Sequence, residues 1–296
     1  MVKILICICS RDINKLKVTL ESIIKLRLSV HEKIEILLVD NSKNSNIKKY
    51  FNYLNSKKKI KINYFYLPNR GIPNLRNKCL REAKKIKSDL LCFIDDDSKL
   101  PNQWIKKNLN FFKKFRKCSI ISGPQYSSKK NVYHDLLSPK FKNFQKINWC
   151  PTNNVMLKKD VINKTTITFD VRLKNIGGSD QLFFNKLSLQ GFEIRWNKEN
   201  PIIEIYQNDR NNLNWFIKRI FRYASSSVII DKYLFGSLFG AVRSLMKIFY
   251  YIIKFMLSLI FIPLNPKLNF LKSLNYLIRS LSIILGFFGI FPKKYI

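Results

Sequence analysis

Three carboxylates in a row, Asp95, Asp96 and Asp97, lie within the stretch Leu90 to Pro101, LLCFIDDDSKLP. Adjacent carboxylates repel, and a hard divalent cation relieves the repulsion. Mg²⁺ takes one or two carboxylates together with waters and substrate phosphates. Three unpaired charges are too costly to bury, so a strand predicted over Leu90 to Ile94 must end where the acids begin, at a sheet edge facing a crevice. If strand geometry persists, alternation puts Asp95 and Asp97 on one side and Asp96 on the other. A solvated acidic turn is the plain alternative. Against it stands an acid-poor chain, with 19 Asp and Glu beside 54 Lys and Arg.

The elements that must position these acids are legible upstream. Val2 to Ser10 reads as a buried strand, Asn14 to Leu26 as a helix with Leu16, Leu20, Ile23 and Ile24 on one face, and Ile34 to Val39 as a second strand ending at Asp40. A helix predicted over Ile47 to Leu54 and a third strand over Ile60 to Leu67 follow. A turn at Pro68-Asn69-Arg70-Gly71 leads into a helix from about Asn74 to Lys87. This β-α-β-α-β-α-β order predicts an α/β fold with a single doubly wound, mostly parallel central sheet flanked by helices. Ligands of such sheets bind at the carboxyl ends of the strands, where Ser10, Asp40 and Asp95 to Asp97 all fall. No glycine-rich phosphate loop follows the first strand, which argues against a dinucleotide-binding or P-loop enzyme.

Further on, residues 102 to 117 read as a basic helix anchored by Trp104, Leu109, Phe111, Phe112 and Phe115, and Ile120 to Gly123 as a short strand. Residues 125 to 146 read as loop, and Trp149 to Leu157, WCPTNNVML, as a loop passing into a strand. A loop from Phe169 ends in Gly177 and Gly178, followed by a helix over Ser179 to Gln190 with Ser179 as its N-cap. Asp180 in the first turn of that helix is also what a helix N-terminus favours electrostatically. Ile194 to Trp196 and Pro201 to Ile205 read as closing strands.

The 296 residues suffice for one large α/β domain and an appendage, and a net charge of +35 points to a polyanionic partner: nucleic acid, an anionic membrane surface or phosphorylated substrates. The six cysteines (Cys7, Cys9, Cys79, Cys92, Cys118, Cys150) lack zinc-site spacing and read as small buried hydrophobes in a reduced compartment. His31 and His134 have no ligand-like companions. The opening MVKILICICS has no small-residue cleavage site and reads as a strand, not a signal peptide.

In this order, ICICSRD, LLVDNS, LPNRGIPNLRNKCLREA, FIDDD, WCPTNNV and FDVRLKNIGGSDQLFFNKLSLQGFEIRW resemble glycosyltransferase family 2, inverting nucleotide-sugar transferases of the GT-A fold. The resemblance spans roughly residues 2 to 223. The last segment is similar to a subgroup reading GGEDTDFF, common in bacterial exopolysaccharide and lipopolysaccharide assembly, with Ser179 in place of the usual Glu and the following Asp kept as Asp180.

The resemblance implies roles. Asp95 and Asp97 would hold a divalent cation, Mg²⁺ or Mn²⁺, that neutralises the departing diphosphate. Asp40 would hold the base or ribose edge, Ser10 and Arg11 would line the base pocket, and Asp96, Arg76 and Asn77 would complete the donor site. Asp180 would be the general base for the acceptor hydroxyl. Gly177 and Gly178 would leave room for a sugar. Asn153 and Asn154 would bind sugar hydroxyls, a turn-forming role being equally compatible. Lys218, Arg219 and Arg222 would reach the donor diphosphate. The implied acceptor is a saccharide or a polyprenyl-diphosphate-linked one, in cell-surface polysaccharide synthesis.

The predicted division is a GT-A domain over 1–210, with a nucleotide-sugar-binding part over about 1–100 and an acceptor part over about 101–210, followed by a basic amphipathic helical region over 211–296. That region holds 12 Lys and Arg and one acid, Asp231. At 100° per residue Arg243, Lys247 and Lys254 fall within about 40° of one another, a single basic stripe. The predicted place is the cytoplasmic face of the cell membrane, peripheral or monotopic, with the stripe meeting anionic headgroups; a spanning hairpin with snorkelling lysines is the alternative. A metal-dependent nucleotidyl or phosphoryl transferase would use the same acids. A nucleic-acid binder would fit the charge but has no need of acids at strand ends, and no nucleic-acid partner is expected.

Overall fold

A computed structural model describes residues 1–44, 46–56, 60–68 and 71–292. The chain divides into an α/β unit (1–130, 138–171 and 183–206) and a helical unit (131–137, 172–182 and 207–296). Asn69 and Arg70, at the centre of the turn expected before the third helix, lie outside the described residues.

The strands are β1 (Val2–Ser10), β2 (Glu32–Asp40), β3 (Lys61–Tyr66), β4 (Leu90–Asp95), β5 (Ser98–Lys99), β6 (Cys118–Ser122), β7 (Gln125–Ser127), β8 (Lys146–Ile147), β9 (Asn154–Lys158), β10 (Glu193–Trp196) and β11 (Ile202–Glu204). The helices are α1 (Ile13–Ile24), α2 (Asn46–Ser56), α3 (Ile72–Ile86), α4 (Trp104–Lys114), α5 (Val132–Leu137), α6 (Lys159–Lys164), α7 (Ser179–Leu189), α8 (Leu213–Phe235), α9 (Ser237–Ile260) and α10 (Pro266–Phe287). The stretch expected to be loop over 125–146 therefore contains β7 and α5 and reaches into β8, short elements whose pairing or packing partners are remote in sequence.

In the α/β unit, β3-β2-β1-β4-β9-β6-β10-β8 form one sheet and β5-β11-β7 a second, smaller one. β1 pairs in parallel with β2 and β4, and β2 with β3. β9 inserts antiparallel between β4 and β6, and β10 runs parallel to β6. The mostly parallel sheet with flanking helices is the expected architecture. Its central strands read as unbroken apolar runs because both faces are covered. Ile4, Ile6 and Ile8 pack with Leu16, Leu20 and Trp104 on one side, and Leu5 and Cys7 with Leu75, Cys79 and Phe183 on the other. All six cysteines are free thiols. Asp12 caps α1, its carboxylate accepting from the amides of Asn14 and Lys15. Near the amino ends of the strands, buried Glu35 bridges Lys3 and Lys61, each at 3.3 Å.

The helical unit is built from α8, α9 and α10, with α5 and the 172–182 segment packed on them. Tyr133 and Leu136 meet Phe216 and Leu271, and Leu173 and Leu182 meet Ile230. Its internal surfaces are rich in small and polar residues: Ser225, Ser226 and Ser227 of α8, Gly240 and Ser244 of α9, and Ser273, Ser280, Ser282 and Gly286 of α10 are buried. Asp231 lies among them, accepting from Ser244 Oγ at 3.0 Å and Lys247 Nζ at 2.5 Å, with Arg243 Nε at 3.4 Å. The basic stripe expected to meet headgroups is thus partly engaged within the protein: two of its three residues, Arg243 and Lys247, pair with Asp231 of α8. Among the described residues, α10 alone is long and apolar enough to cross a membrane by length and composition.

Candidate functional site

The acids meet at the carboxyl edge of the α/β unit because the register puts them there. Ser10 of β1 pairs with Asp40 of β2, and Cys9 with Asp95 of β4. β4 ends at Asp95; Asp96 and Asp97 form a tight turn into β5, so the two-residue alternation expected across all three acids stops at the first. Asp95 and Asp96 keep partial exposure, and Asp97 is 6% exposed.

The turn is held from α1. Thr19 Oγ1 donates to the Asp96 carbonyl at 2.7 Å and accepts from the Ser98 amide at 3.0 Å, while Ser22 Oγ accepts from the Leu100 amide at 3.1 Å. Sequence reasoning missed both hydroxyls. Their signal was polarity at positions interleaved with the apolar residues Leu16, Leu20 and Ile23, where α1 had no other reason to carry it. β11 holds the other side: the Ile205 amide donates to the Asp97 carbonyl at 2.7 Å.

Ser10 Oγ lies 2.6 Å from Asp96 Oδ2, to which it donates. Burial pushes the Asp96 carboxyl up to about 6; the Ser10 bond opposes the shift and neighbouring Asp95 adds to it. Asp40 is fully buried, accepting from Tyr64 Oη at 2.6 Å and the Ser42 amide at 2.7 Å. Burial and that bond raise the Tyr64 hydroxyl, which stays a donor. Arg76 of α3 is 14% exposed, its Nη2 is 4.0 Å from Asp95 Oδ1, and its guanidinium lies over the Phe169 ring. Arg76 and Asp95 line a small cleft of about 30 Å³ with Cys7, Cys9, Ile72 and Thr152. A larger hollow of about 540 Å³, lined by Lys107, Phe111, Lys114, Phe144 and Glu199, lies away from the acids and contains none of them.

Several expected ligand contacts belong to the scaffold instead. Asn77 brackets the Phe169 backbone, donating to its carbonyl at 2.8 Å and accepting from its amide at 2.7 Å. Asn154 is buried; its amide donates to the Pro124 and Asn200 carbonyls and its oxygen accepts from Trp104 Nε1, which leaves no donor for a sugar. Asn153 donates to Gln125, whose own amide reaches Ser98 Oγ at 3.1 Å behind the acidic turn. Arg11 is exposed beside Ser10.

The helical unit holds the remaining candidates. Asp180 is half-buried in the first turn of α7, its Oδ1 accepting from the Gln181 amide at 2.9 Å. Ser179 begins that helix instead of capping it. Gly177 and Gly178 have φ of +100° and +78°, and a Cβ on either would come within 2.5 Å of Arg222 Nε or Ile230 Cδ1. The room they make is filled by α8, not left open for a sugar. Arg222 Nε donates to the Ile176 carbonyl at 3.2 Å, Arg219 Nε to Tyr223 Oη at 2.7 Å, and Lys218 is exposed.

The donor set at the acidic turn is two carboxylates two residues apart, and no group of three His, Cys, Asp or Glu capable of holding a metal occurs among the described residues. Hard oxygen donors in that number fit Mg²⁺ or Mn²⁺, which complete their shells with water and phosphate oxygens.

Solved structures share this architecture. A mannosyltransferase from Pyrobaculum calidifontis, PcManGT, in complex with GDP-Man and Mn²⁺ aligns with TM-score 0.62 and 11% identity over 95% of this chain and 86% of its own. S. aureus TarS 1-349 in complex with UDP aligns with TM-score 0.55 and 14% identity over 100% and 94%. GalNAc-T7 with UDP, GalNAc and Mn²⁺ aligns with TM-score 0.58 and 13% identity over 77% and 51%. The chain spans about half the length of GalNAc-T7 and 43% of the longer TarS structure. These likenesses establish the GT-A fold. None of the curated proteins compared by sequence matches the chain. The model of glycosyl transferase family 2 matches residues 3–165, more than half of the chain, and the protein belongs to that family.

Proposed function

We propose that this glycosyltransferase moves a hexosyl group from a nucleotide-sugar donor to an acceptor hydroxyl with inversion, assisted by a divalent cation, in cell-surface polysaccharide assembly of the GGEDTDFF-like subgroup. The observation that carries the reading is the acidic turn at the carboxyl edge, held between α1 and β11 with Arg76 beside it. The nucleotide UDP and the nucleotide sugars UDP-GlcNAc and GDP-Man bound by the solved structures, and the Mn²⁺ in two of them, support it.

Asp95 and Asp97 would hold Mg²⁺ or Mn²⁺, which when bound offsets charge on the departing diphosphate. Asp40 and Tyr64 fix the floor of the base pocket, with Ser10 and Arg11 at its rim. Arg76 faces the donor phosphates from the α3 side. Asp180 takes the proton of the acceptor hydroxyl, and Lys218, Arg219 and Arg222 supply cations for the diphosphate. The acceptor is a saccharide or one carried on polyprenyl diphosphate, met at the cytoplasmic face of an anionic membrane by a peripheral or monotopic enzyme. Twelve cations beside one acid in residues 211–296 support that placement.

The test is a panel of UDP-, GDP- and dTDP-sugars with Mg²⁺ or Mn²⁺ on the purified protein. Release of nucleoside diphosphate that needs both metal and acceptor is expected. Release of nucleoside monophosphate and pyrophosphate would instead identify a nucleotidyl transferase, and undiminished turnover in excess chelator would overturn the metal role.

A further inference from the structure

α9 is amphipathic with its polarity reversed. Its inward stripe is Gly240, Ser244, Lys247, Ile248, Tyr251 and Ser258, mostly small or polar. Its outward face carries Phe239, Met246, Phe249, Ile253, Met256 and Ile260, all more than half exposed. Two further observations place this outside the pattern of a water-soluble bundle. Close approach at small residues holds the helices together: a Cβ on Gly240 would lie 2.7 Å from the Asp231 backbone, one on Gly286 would lie 2.8 Å from the Ser225 carbonyl, and Ser258 bonds Ser273 at 2.7 Å. Such interfaces are characteristic of helices that pack in lipid, where apolar burial gives no drive. The charge also complements an anionic bilayer. The one acid of this region is neutralised internally by Arg243 and Lys247, while Lys232, Lys254 and Lys267 stay on the surface.

The angular arrangement selects the pose. At 100° per residue the exposed apolar residues of α9 fill one arc of about 180°. Arg243, Lys254 and Lys247 fall just past one edge of that arc, and the buried stripe lies beyond them. A helix lying in the membrane plane has this layout: half its circumference in hydrocarbon and its cations at the headgroup line. We infer that the hydrocarbon of an anionic bilayer covers the outward face of α9, with the helix in the plane of the membrane. The inference rests on the membrane placement proposed above, but it changes the contact. The inserting surface is the apolar arc; Lys254 stands at its edge, and Arg243 and Lys247 beside it are also held by Asp231 of α8.

The full-length protein is tested on vesicles of equimolar phosphatidylglycerol and phosphatidylcholine. Sedimentation reports the membrane placement itself, and its absence overturns both. Nitroxide labels at Met246→Cys, Phe249→Cys, Met256→Cys and Ile260→Cys then report depth through collisions with oxygen and with a water-soluble nickel complex. Equal depth in hydrocarbon at all four sites is expected. Met246 and Ile260 lie about 21 Å apart along the axis, so a spanning helix would separate them in depth and overturn the in-plane pose while leaving membrane binding intact. Labels open to the nickel complex, or buried in a stoichiometric dimer without vesicles, would overturn the inserted face. Phe249→Glu with Ile253→Glu should weaken vesicle binding at least tenfold and leave donor binding unchanged.

Discussion

Each unit has a buried carboxylate held between two cations, Glu35 in one and Asp231 in the other, and the surroundings of these two clasps differ. Glu35 lies in β2 with Lys3 and Lys61 on the flanking strands, and on its face of the sheet the large apolar side chains point inward: Leu5, Leu37 and Leu91 are fully buried. Asp231 sits among serines and glycines with Arg243 and Lys247, and on the facing helix α9 most large apolar side chains point outward: Phe249 is 66% exposed. The same ingredients are sorted in opposite senses. In water, burial of apolar surface drives the first arrangement. The second is stable only where the outside is itself apolar, or where small-residue packing and a charge clasp replace that drive.

The largest effect expected is in the α/β unit. Asp97→Asn should cut transfer by roughly three orders of magnitude, the scale of losing one main electrostatic stabiliser of a transition state, and should weaken metal-dependent donor binding. A variant that turns over normally would remove the acidic turn from the chemistry. Asp180→Asn should lose about 10²- to 10⁴-fold in turnover, the range for a general base, with donor affinity retained in equilibrium titrations. The pair would then separate donor binding, proposed for the α/β unit, from proton acceptance, proposed for the first turn of α7. Collapse of donor affinity in the second variant would erase that division and make Asp180 a helix cap.

Asp231→Ala leaves Lys247 and the solvent-exposed Arg243 without their carboxylate, and because water reaches both cations the cost falls below the about 3–5 kcal/mol of a fully buried pair. Hydrogen exchange should show α8 and α9 losing protection while β1 and β4 keep theirs. Equal loss in both units would mean that they unfold as one, and the comparison would fail. The smallest effect concerns Glu35. Burial pushes its carboxyl up, but the ammonium groups of Lys3 and Lys61 outweigh burial and hold it below its ordinary value of 4.5. A depressed folded pKa contributes stability that is complete above the unfolded value and is lost as pH falls through the folded one. Thermal unfolding of Glu35→Gln should therefore differ from the parent near neutral pH, with the gap closing as pH falls below 4.5. A gap that stays constant with pH would make the clasp a matter of packing alone.

Much of the α/β unit was legible because burial on both faces leaves a direct mark. Unbroken apolar runs gave β1, β2 and β4, and the acids marked the edge where those strands stop. Their order along the chain then predicted the open sheet. β5, β7 and β8 were not legible, since strands of two or three residues exist only through partners remote in sequence. Thr19 and Ser22 were visible as polar residues on an apolar face, but their target, the acidic turn, lies more than seventy residues downstream.

Residue types by themselves determined where acids stand on an acid-poor chain, that Asp180 opens a helix after two glycines, and that the last 86 residues are basic and apolar together. Only the tertiary structure decided which atoms those residues meet. It set Asn77 and Asn154 to bracing the fold, because an amide serves a backbone as readily as a sugar. It filled the space over Gly177 and Gly178 with α8. It also paired Arg243 and Lys247 with Asp231 of α8. A helical periodicity shows that a helix has two faces; which face turns inward depends on the neighbour, and here that neighbour carries Asp231, a lone carboxylate whose burial requires the cations beside it.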